Sequence, residues 1–328
     1  MPFASRLTLL WLAALAGLVA ALCLGAQDYP PRLLWAALAA YDPADPGQAI
    51  IAEMRLPRVL AGLVVGGALA VAGVIMQAMA RNPLADPGLT GVNAGAALAV
   101  VSGLLAFGAL PQLVIAGLAL SGAALAAVLV WLLAGGGDNT LRLPLAGAAF
   151  ASLCMALVAL VVLTHPEARN IYRFWMVGSL AVAQSQALAV LAPIALAGIL
   201  AAAAVARQIE ALMLGAEMGS ALGLHVGRVL GLGLAAVALT AGASVAIAGP
   251  VGFIGLIAPH LARRAMPGAS LTRQVALACP VGAGLALFAD LAGRWLLRPG
   301  EVQLGLVLAM IGAPAFMILV RRMLREGA

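Results

Sequence analysis

The sequence predicts an all-α, polytopic membrane protein with about ten transmembrane helices. Of its 328 residues, 64% are hydrophobic and only 9% are charged, whereas soluble domains carry about 25% charged residues. The mean hydropathy is +1.11. Because a helix needs about 20 apolar residues to span a bilayer, ten spans with short connections use up this length. We therefore expect a single transmembrane domain over residues 1–328 and no soluble domain.

Ten apolar segments carry this prediction. The first follows one Arg, as a signal peptide does, but its apolar core exceeds the usual 7 to 15 residues, so we interpret it as a span. The eighth is too short for an ordinary crossing and is preceded or interrupted by Gly249, Pro250, Gly252 and Gly255. Since broken backbone at membrane depth must be buried or line a cavity, we expect it inside the bundle. The predicted spans are 7–26, 58–80, 92–109, 112–134, 144–164, 187–206, 227–248, 253–263, 273–293 and 303–321.

The arginines predict the orientation of the chain. Ten spans place both termini on one side, and with both in the cytoplasm most of the 18 basic residues are cytoplasmic, in agreement with the positive-inside rule. The cytoplasmic set is Arg6, Arg81, Arg142, Arg207, Arg228, Arg263, Arg264, Arg273, Arg321, Arg322 and Arg325, and the outer set is Arg32, Arg55, Arg58, Arg169, Arg173, Arg294 and Arg298.

Two patterns indicate how the helices are arranged. RVLAGLVVGGALA, starting at Arg58, recurs loosely as RVLGLGLAAVALT, starting at Arg228. The two segments enter the membrane from opposite sides, which predicts an inverted repeat, a common transporter design. Small residues four apart, such as Gly62, Gly66 and Ala70, predict close backbone approach between helices.

Several chemistries are excluded by what the sequence lacks. No Lys occurs, so the chain has no Walker A loop. The three Cys and three His are scattered, which predicts no metal site. No HExxH or GxSxG motif is present, so we expect a transport protein rather than an enzyme.

A transport protein needs a source of energy, and this chain has no ATP-binding motif of its own. A proton-coupled carrier keeps ionisable groups near the membrane centre, but here only Asp290 lies well inside an apolar run, and an i,i+4 pair with Arg294 accounts for it. If neither a nucleotide site nor an ion relay is present, energy must come from a cytoplasmic partner. Residues 211–224 form the best candidate docking segment, with a Gly-marked break at Leu222 and Gly223. A plain linker with surface charges is the alternative.

Five segments resemble the iron-chelate and cobalamin (FecCD-type) permease family of ABC importers. The resemblance runs from about residue 50 onward, and three segments are most similar to permeases for ferric catecholate siderophores. The segments are RLPRVLAGLVVGGALAVAGVIMQAMARNPLADPGLTGVNAGAAL (55–98), RFWMVGSL (173–180), LGAEMGSALGLHVGR (214–228), GPVGFIGLIAPHLARR (249–264) and PGEVQLGLVLAMIGAPAFMILVRR (299–322).

The resemblance implies the membrane-spanning subunit of a type II ABC importer in the bacterial inner membrane. It implies as partners a second permease subunit, identical or related, two ATP-binding cassette subunits and a periplasmic siderophore-binding protein, with no nucleic acid. ATP and Mg belong to the ATPase, and this chain needs no cofactor. The implied cargo is a ferric siderophore, with haem or cobalamin as the alternatives within the family.

The resemblance also implies site residues. The loop at about 208–226 resembles the coupling helices that fit a cleft on the ATPase, and the outer arginines match family residues suited to pairing with carboxylates of the binding protein. The coupling residues are Leu214, Gly215, Glu217, Ala221, Leu222 and Gly223. The docking residues are Arg55, Arg58 and Arg294, and the inner gate of the pathway is Asn82, Pro83 and Leu84.

Overall fold

The fold is known from a computed structural model that describes residues 2–136, 142–298 and 300–326. Pro299 of the PGE segment lies outside them. These residues form fourteen α-helices, with a π-helical turn before α4 (Ile50–Arg55) and a 3₁₀ turn before α5 (Pro87–Thr90). The helices are α1 (Phe3–Cys23), α2 (Pro31–Ala39), α3 (Pro46–Ala49), α4 (Leu56–Met79), α5 (Val92–Phe107), α6 (Gln112–Leu133), α7 (Arg142–Thr164), α8 (Pro166–Met176), α9 (Ser185–Met213), α10 (Ala216–Ala221), α11 (Val226–Ala248), α12 (Ile254–Ala265), α13 (Leu271–Leu296) and α14 (Leu304–Glu326).

All ten predicted spans correspond to helices. Seven helical segments within the described ranges are long and apolar enough to cross a membrane, and α5 and the start of α14 are shorter apolar helices. The remaining span is α12, which has only 12 residues. The short helices α2, α3 and α8 lie in connections for which the sequence predicted no helix. The expected all-α membrane architecture is confirmed.

Successive crossings alternate in direction and give the bundle two distinct ends. Arg6 near the start of α1 donates to the Ala265 carbonyl at the end of α12, and Arg264 shares a cleft with Phe316 of α14. The end of α12 and the segment before α10 line one cleft, through Arg263 and Leu214. The start of α1 and the later part of α14 therefore lie at the end that carries α10, which we call the α10 end. The opposite end, which carries Arg58 and Asp290, is the arginine end. The helices α4 and α11 run in opposite directions and pack together, although the inverted repeat itself stays a prediction.

The eighth span is a half-helix, as its glycines predicted. Gly249 has φ +73° and Phe253 has φ +67°, so the chain turns sharply between α11 and α12. The end of α11 is bonded to the connection between α8 and α9, because the Ser179 N–H donates to the Ala248 carbonyl (2.7 Å). The same connection is bonded to α14, because the Gly305 N–H donates to the Gly178 carbonyl (3.1 Å). Broken backbone within a membrane bundle needs such hydrogen bonds from the protein itself, since lipid offers none.

Helix α4 is the centre of the bundle and contacts α9, α11, α12 and α13. It packs closely against α13, where a Cβ on Gly66 would lie 2.3 Å from the Gly282 carbonyl oxygen. A Cβ on Gly73 would likewise lie 2.0 Å from the Gly255 carbonyl oxygen at the start of α12. Since the hydrophobic effect does not hold helices together in lipid, such close van der Waals packing must do so.

The contact between α4 and α13 predicts that one added methyl group lowers the free energy of unfolding at some positions of α13 and not at others. In Gly282→Ala the new Cβ would stand 2.2 Å from the Gly66 carbonyl oxygen, so the helices must separate. We expect a loss of about 1–3 kcal/mol, seen as a lower melting temperature in detergent. Gly284→Ala is the matched control, because a Cβ there meets nothing within 4 Å. Equal melting temperatures for the two variants would contradict this account of the packing.

Candidate functional site

The arginine end is organised around one buried carboxylate. Asp290 is 2% exposed and lies between two guanidinium groups. Arg58 donates to it through Nε (2.9 and 3.1 Å) and pairs through Nη2 (2.9 Å), while Arg294 Nε lies 3.1 Å from the other oxygen. The predicted Asp290–Arg294 pair is confirmed, and Arg58 joins it. Buried charges are stable only when paired and hydrogen-bonded, so these three residues form a structural unit.

Two of the predicted docking arginines bind the end of α1. Arg294 Nη1 donates to the carbonyls of Ala21 (2.9 Å) and Leu24 (3.0 Å), and Arg55 Nη1 donates to the Leu22 carbonyl (2.8 Å). The last carbonyls of a helix lack partners within the helix, and a cation also interacts favourably with that end of its dipole. Arg55 and Arg294 are only 8% and 2% exposed, so both guanidinium groups serve contacts inside the chain.

Arg58 differs from the other two because part of it reaches the surface. Its side chain is 13% exposed and pairs through Nη1 with Glu301 (2.7 Å), whose side chain is 38% exposed. A cleft of about 240 Å³ runs beside Arg55, Arg58, Arg294 and Glu301. The docking role of the three arginines stays a prediction, and Arg58 is better placed for it than Arg55 or Arg294.

At the α10 end, the predicted coupling loop forms a short helix with defined boundaries. Gly215 adopts φ +129° and Gly223 adopts φ +77°, backbone conformations that favour glycine. Between them α10 spans Ala216–Ala221. The helix is held against α9, because a Cβ on Gly219 would lie 2.4 Å from the Leu212 side chain. The predicted helix and its break at Leu222 and Gly223 are therefore present, while their coupling role stays a prediction.

One side of this segment presents an apolar stripe to solvent. Leu214, Met218 and Leu222 are 75%, 53% and 62% exposed and lie just before, within and just after α10. Glu217 and Ala221 are also exposed. Apolar residues clustered on an exposed surface mark a site of interaction. We call Leu214, Met218 and Leu222 the apolar stripe.

The predicted gate residues form an ordered turn between α4 and the 3₁₀ turn. Asn82 Oδ1 accepts from the Leu84 N–H (2.9 Å), and the Ala85 N–H donates to the Asn82 carbonyl (3.0 Å). Asp86 accepts from the Gly88 N–H (2.8 Å); burial raises the pKa of Asp86, and this hydrogen bond opposes the shift. Asn82 and Pro83 are exposed and Leu84 is half-buried. Their place on a transport pathway stays a prediction.

The described residues contain no group of three or more His, Cys, Asp or Glu that could hold a metal ion. Sequence reasoning missed the contact between Arg58 and Asp290, which are 232 residues apart. The available signal was a single acid inside an apolar span, since such a residue needs a charged partner. It also missed the inward contacts of Arg55 and Arg294, for which the sequence holds no local signal.

This architecture defines an integral membrane protein with apolar helices packed through glycines and a broken half-helix inside the bundle. A family model described as the FecCD transport family matches residues 12–322. The chain therefore belongs to the FecCD transport family.

Relatives and a solved structure agree with this assignment. The chain is 42% identical over 283 residues to the ferric enterobactin transport system permease protein FepD of Escherichia coli K12, covering 85% of this chain and 84% of FepD. It is 38% identical to the hemin transport system permease protein HmuU of Yersinia pestis, covering 82% of each. A solved inward-facing conformation of a putative metal-chelate type ABC transporter matches with TM-score 0.84 and 27% identity, covering 98% of this chain and 99% of that one.

Two acidic residues contact Arg58, and the difference in their burial predicts a large loss of stability on neutralising one and a small loss on neutralising the other. Asp290→Asn leaves Arg58 and Arg294 without their shared counter-charge, so we expect a loss of about 3–5 kcal/mol. Glu301→Gln is the matched control, because a pair this exposed contributes about 0–1 kcal/mol. Thermal unfolding of both variants in detergent measures the difference. Similar melting temperatures for Asp290→Asn and the unmodified protein would show that Asp290 does not hold this end together.

Proposed function

We propose that this chain is the membrane-spanning subunit of an ATP-driven importer that moves a ferric siderophore of the catecholate class across the bacterial inner membrane. The observation that carries the proposal is the apolar stripe, an exposed surface on a chain that has no Lys and hence no Walker A loop. An ATP-driven transport protein without its own nucleotide site needs a partner that hydrolyses ATP, and the stripe offers a surface for that partner.

The proposed orientation places the α10 end in the cytoplasm. Eleven of the 18 arginines lie on that side of the predicted topology, in keeping with the positive-inside rule. Both termini are then cytoplasmic, since α1 begins and α14 ends at the α10 end. The arginine end faces the periplasm, where a binding protein delivers cargo.

The proposed partners are two ATP-binding cassette subunits, a periplasmic siderophore-binding protein and a second permease subunit. ATP and Mg bind the ATPase. Each ATPase receives Leu214, Gly215, Glu217, Ala221, Leu222 and Gly223 of one permease. Closure of the ATPases moves these segments, and the turn at Asn82, Pro83 and Leu84 opens or closes the pathway.

A proton-coupled carrier is the first alternative, and the arrangement around Asp290 argues against it. A proton relay must exchange its proton with water or substrate, whereas Asp290 is 2% exposed and held by Arg58 and Arg294. Asp290 is therefore poorly suited to carry a proton.

Haem or cobalamin as cargo is the second alternative. Identity to FepD (42%) exceeds identity to HmuU (38%), which favours the siderophore. The ligand that the cognate binding protein retains on purification decides between the cargoes. Retention of a ferric catecholate supports the proposal. Retention of haem or cobalamin would contradict the proposed cargo but not ATP-driven import.

Reconstitution tests the driving force. In proteoliposomes with the cognate ATPase and binding protein, we expect uptake of iron-labelled enterobactin to require ATP and to persist with a proton uncoupler. Glu217→Arg should abolish ATPase association and uptake, because it places a bulky cation in the proposed docking surface.

The matched control is Glu167→Arg, the same charge reversal at an exposed position of α8 that the proposed orientation places outside. It should leave ATPase association unchanged. Uptake by the permease alone, or normal co-purification of Glu217→Arg with the ATPase, contradicts the proposal.

Docking of the binding protein gives a further prediction. If Arg58 pairs with a carboxylate of the binding protein, Glu301 competes for the same Nη1 group. We expect Glu301→Gln to tighten binding and Arg58→Gln to weaken it, most clearly at low ionic strength, where exposed charges are least screened. The affinity of the binding protein for the permease in nanodiscs measures both.

Asp28→Asn is the control, since it removes a negative charge at the same end that pairs with Arg298 rather than Arg58. If Asp28→Asn tightens binding as much as Glu301→Gln, the tighter binding reflects the net charge of the arginine end and not release of Arg58. If neither Arg58→Gln nor Glu301→Gln changes the affinity, Arg58 is a structural residue only.

A further inference from the structure

The turn at residues 80–85 contains a residue in an unfavourable backbone conformation. Arg81 has φ +47°, and within the described ranges only Arg81 and Phe253 among non-glycine residues have positive φ. Left-handed backbone is uncommon for residues other than Gly, Asn and Asp. Such a conformation persists only where the surrounding structure holds it in place, so the contacts of Arg81 must do so.

The side chain of Arg81 crosses to another helix. Its Nη2 donates to the Leu212 carbonyl, in the last turn of α9 and 131 residues along the chain. The same carbonyl accepts from the Gly215 N–H (3.1 Å), at the residue that starts the turn into α10. Arg81 is thus bonded to the point where α9 passes into the α10 segment.

Open space surrounds this hydrogen bond. A cleft of about 480 Å³ lies between the end of α4 with Asn82 and Pro83 on one side and Glu210, Met213 and Leu214 on the other. In this cleft, side chains do not fill the gap between the turn and the end of α9. The Arg81 side chain reaches across it and joins the two elements directly.

Each side of the cleft is itself firmly held. The Asn82 N–H donates to the Gln77 carbonyl (3.1 Å), Gln77 Nε2 donates to the Gly255 carbonyl (3.1 Å) and Arg263 Nη1 donates to Gln77 Oε1 (2.8 Å). The turn is therefore joined to α4 and α12. On the other side, Leu212 packs against Gly219 of α10.

We infer that Arg81 is a positioning residue for transport: it carries movement of α10 and the end of α9 to the turn at residues 80–85. This inference rests on the proposed function, in which an ATPase moves the α10 segment and the turn gates the pathway. A displacement of α10 moves the Leu212 carbonyl, and the guanidinium group moves the turn with it. A purely structural role, as a cap on the end of α9, would affect stability and leave the coupling of ATP hydrolysis to uptake intact.

The test removes the guanidinium without adding backbone strain. Asn and Gly both adopt left-handed backbone readily, so Arg81→Asn and Arg81→Gly lose the hydrogen bond and keep the turn. In the complete complex with ATPase and binding protein, we measure uptake of iron-labelled enterobactin and ATP hydrolysis in the same proteoliposomes. We expect uptake per ATP to fall about tenfold in both with the complex still assembled, because losing one charge-assisted hydrogen bond makes it about tenfold easier for the turn to stay in place when α10 moves.

Two further variants sharpen the result. Arg81→Lys retains a cationic donor and should restore part of the coupling. Arg207→Gln removes a guanidinium from an exposed position of α9 near the same end and should leave uptake per ATP unchanged. An unchanged ratio in Arg81→Asn and Arg81→Gly, or a parallel fall of uptake and hydrolysis, would overturn the inference.

A second measurement does not depend on the cargo. Spin labels at Pro83→Cys and Ser220→Cys, with Cys23, Cys154 and Cys279 replaced by Ala, report the distance between the turn and α10 by pulsed electron resonance. We expect the distance to stay constant between nucleotide-free and ATP-bound complexes when Arg81 is present and to change in Arg81→Asn. Equal distance changes with and without Arg81 would overturn the inference. Absence of ATP-dependent uptake with normal distance behaviour would instead overturn the proposed cargo or driving force.

Discussion

The close contact of α4 with α13 at Gly66 and Gly282 is the constraint on which the rest of the bundle depends. Here the two backbones meet with no room for a Cβ, and α4 in turn contacts α9, α11 and α12. The same two helices carry Arg58 and Asp290 at the arginine end. The distance set by the glycines therefore also sets the distance at which the buried ion pair can form.

Several buried backbone groups are hydrogen-bonded to partners that lie far away in sequence. The end of α1 receives hydrogen bonds from Arg55 and Arg294, and the backbone around Gly178 pairs with α11 and α14. Lipid offers no alternative partners for such groups. Each of these bonds consequently joins segments from different parts of the chain, and together they fix the order in which the helices pack.

Much of the architecture could be predicted from composition and spacing, because lipid imposes a simple rule on length and polarity. The ten spans, the half-length α12 and the Asp290–Arg294 pair all follow from local patterns. The short helices α2 and α8 did not, since connections outside the membrane lack that rule. The contacts of Arg58 with Asp290 and of Arg81 with Leu212 could not be predicted, because they join residues 232 and 131 positions apart. The exposure of Leu214, Met218 and Leu222 around α10 also required the structure.

The apolar stripe affects how the protein behaves before it is assembled with a partner. Leu214, Met218 and Leu222 are exposed at the α10 end, where the proposed topology places them in water rather than lipid. An exposed apolar cluster promotes self-association until a partner covers it. If the proposed ATPase covers the stripe, a permease synthesised in excess of the ATPase would be prone to aggregate and to attract proteolysis, so that the supply of one subunit would set the usable amount of the other.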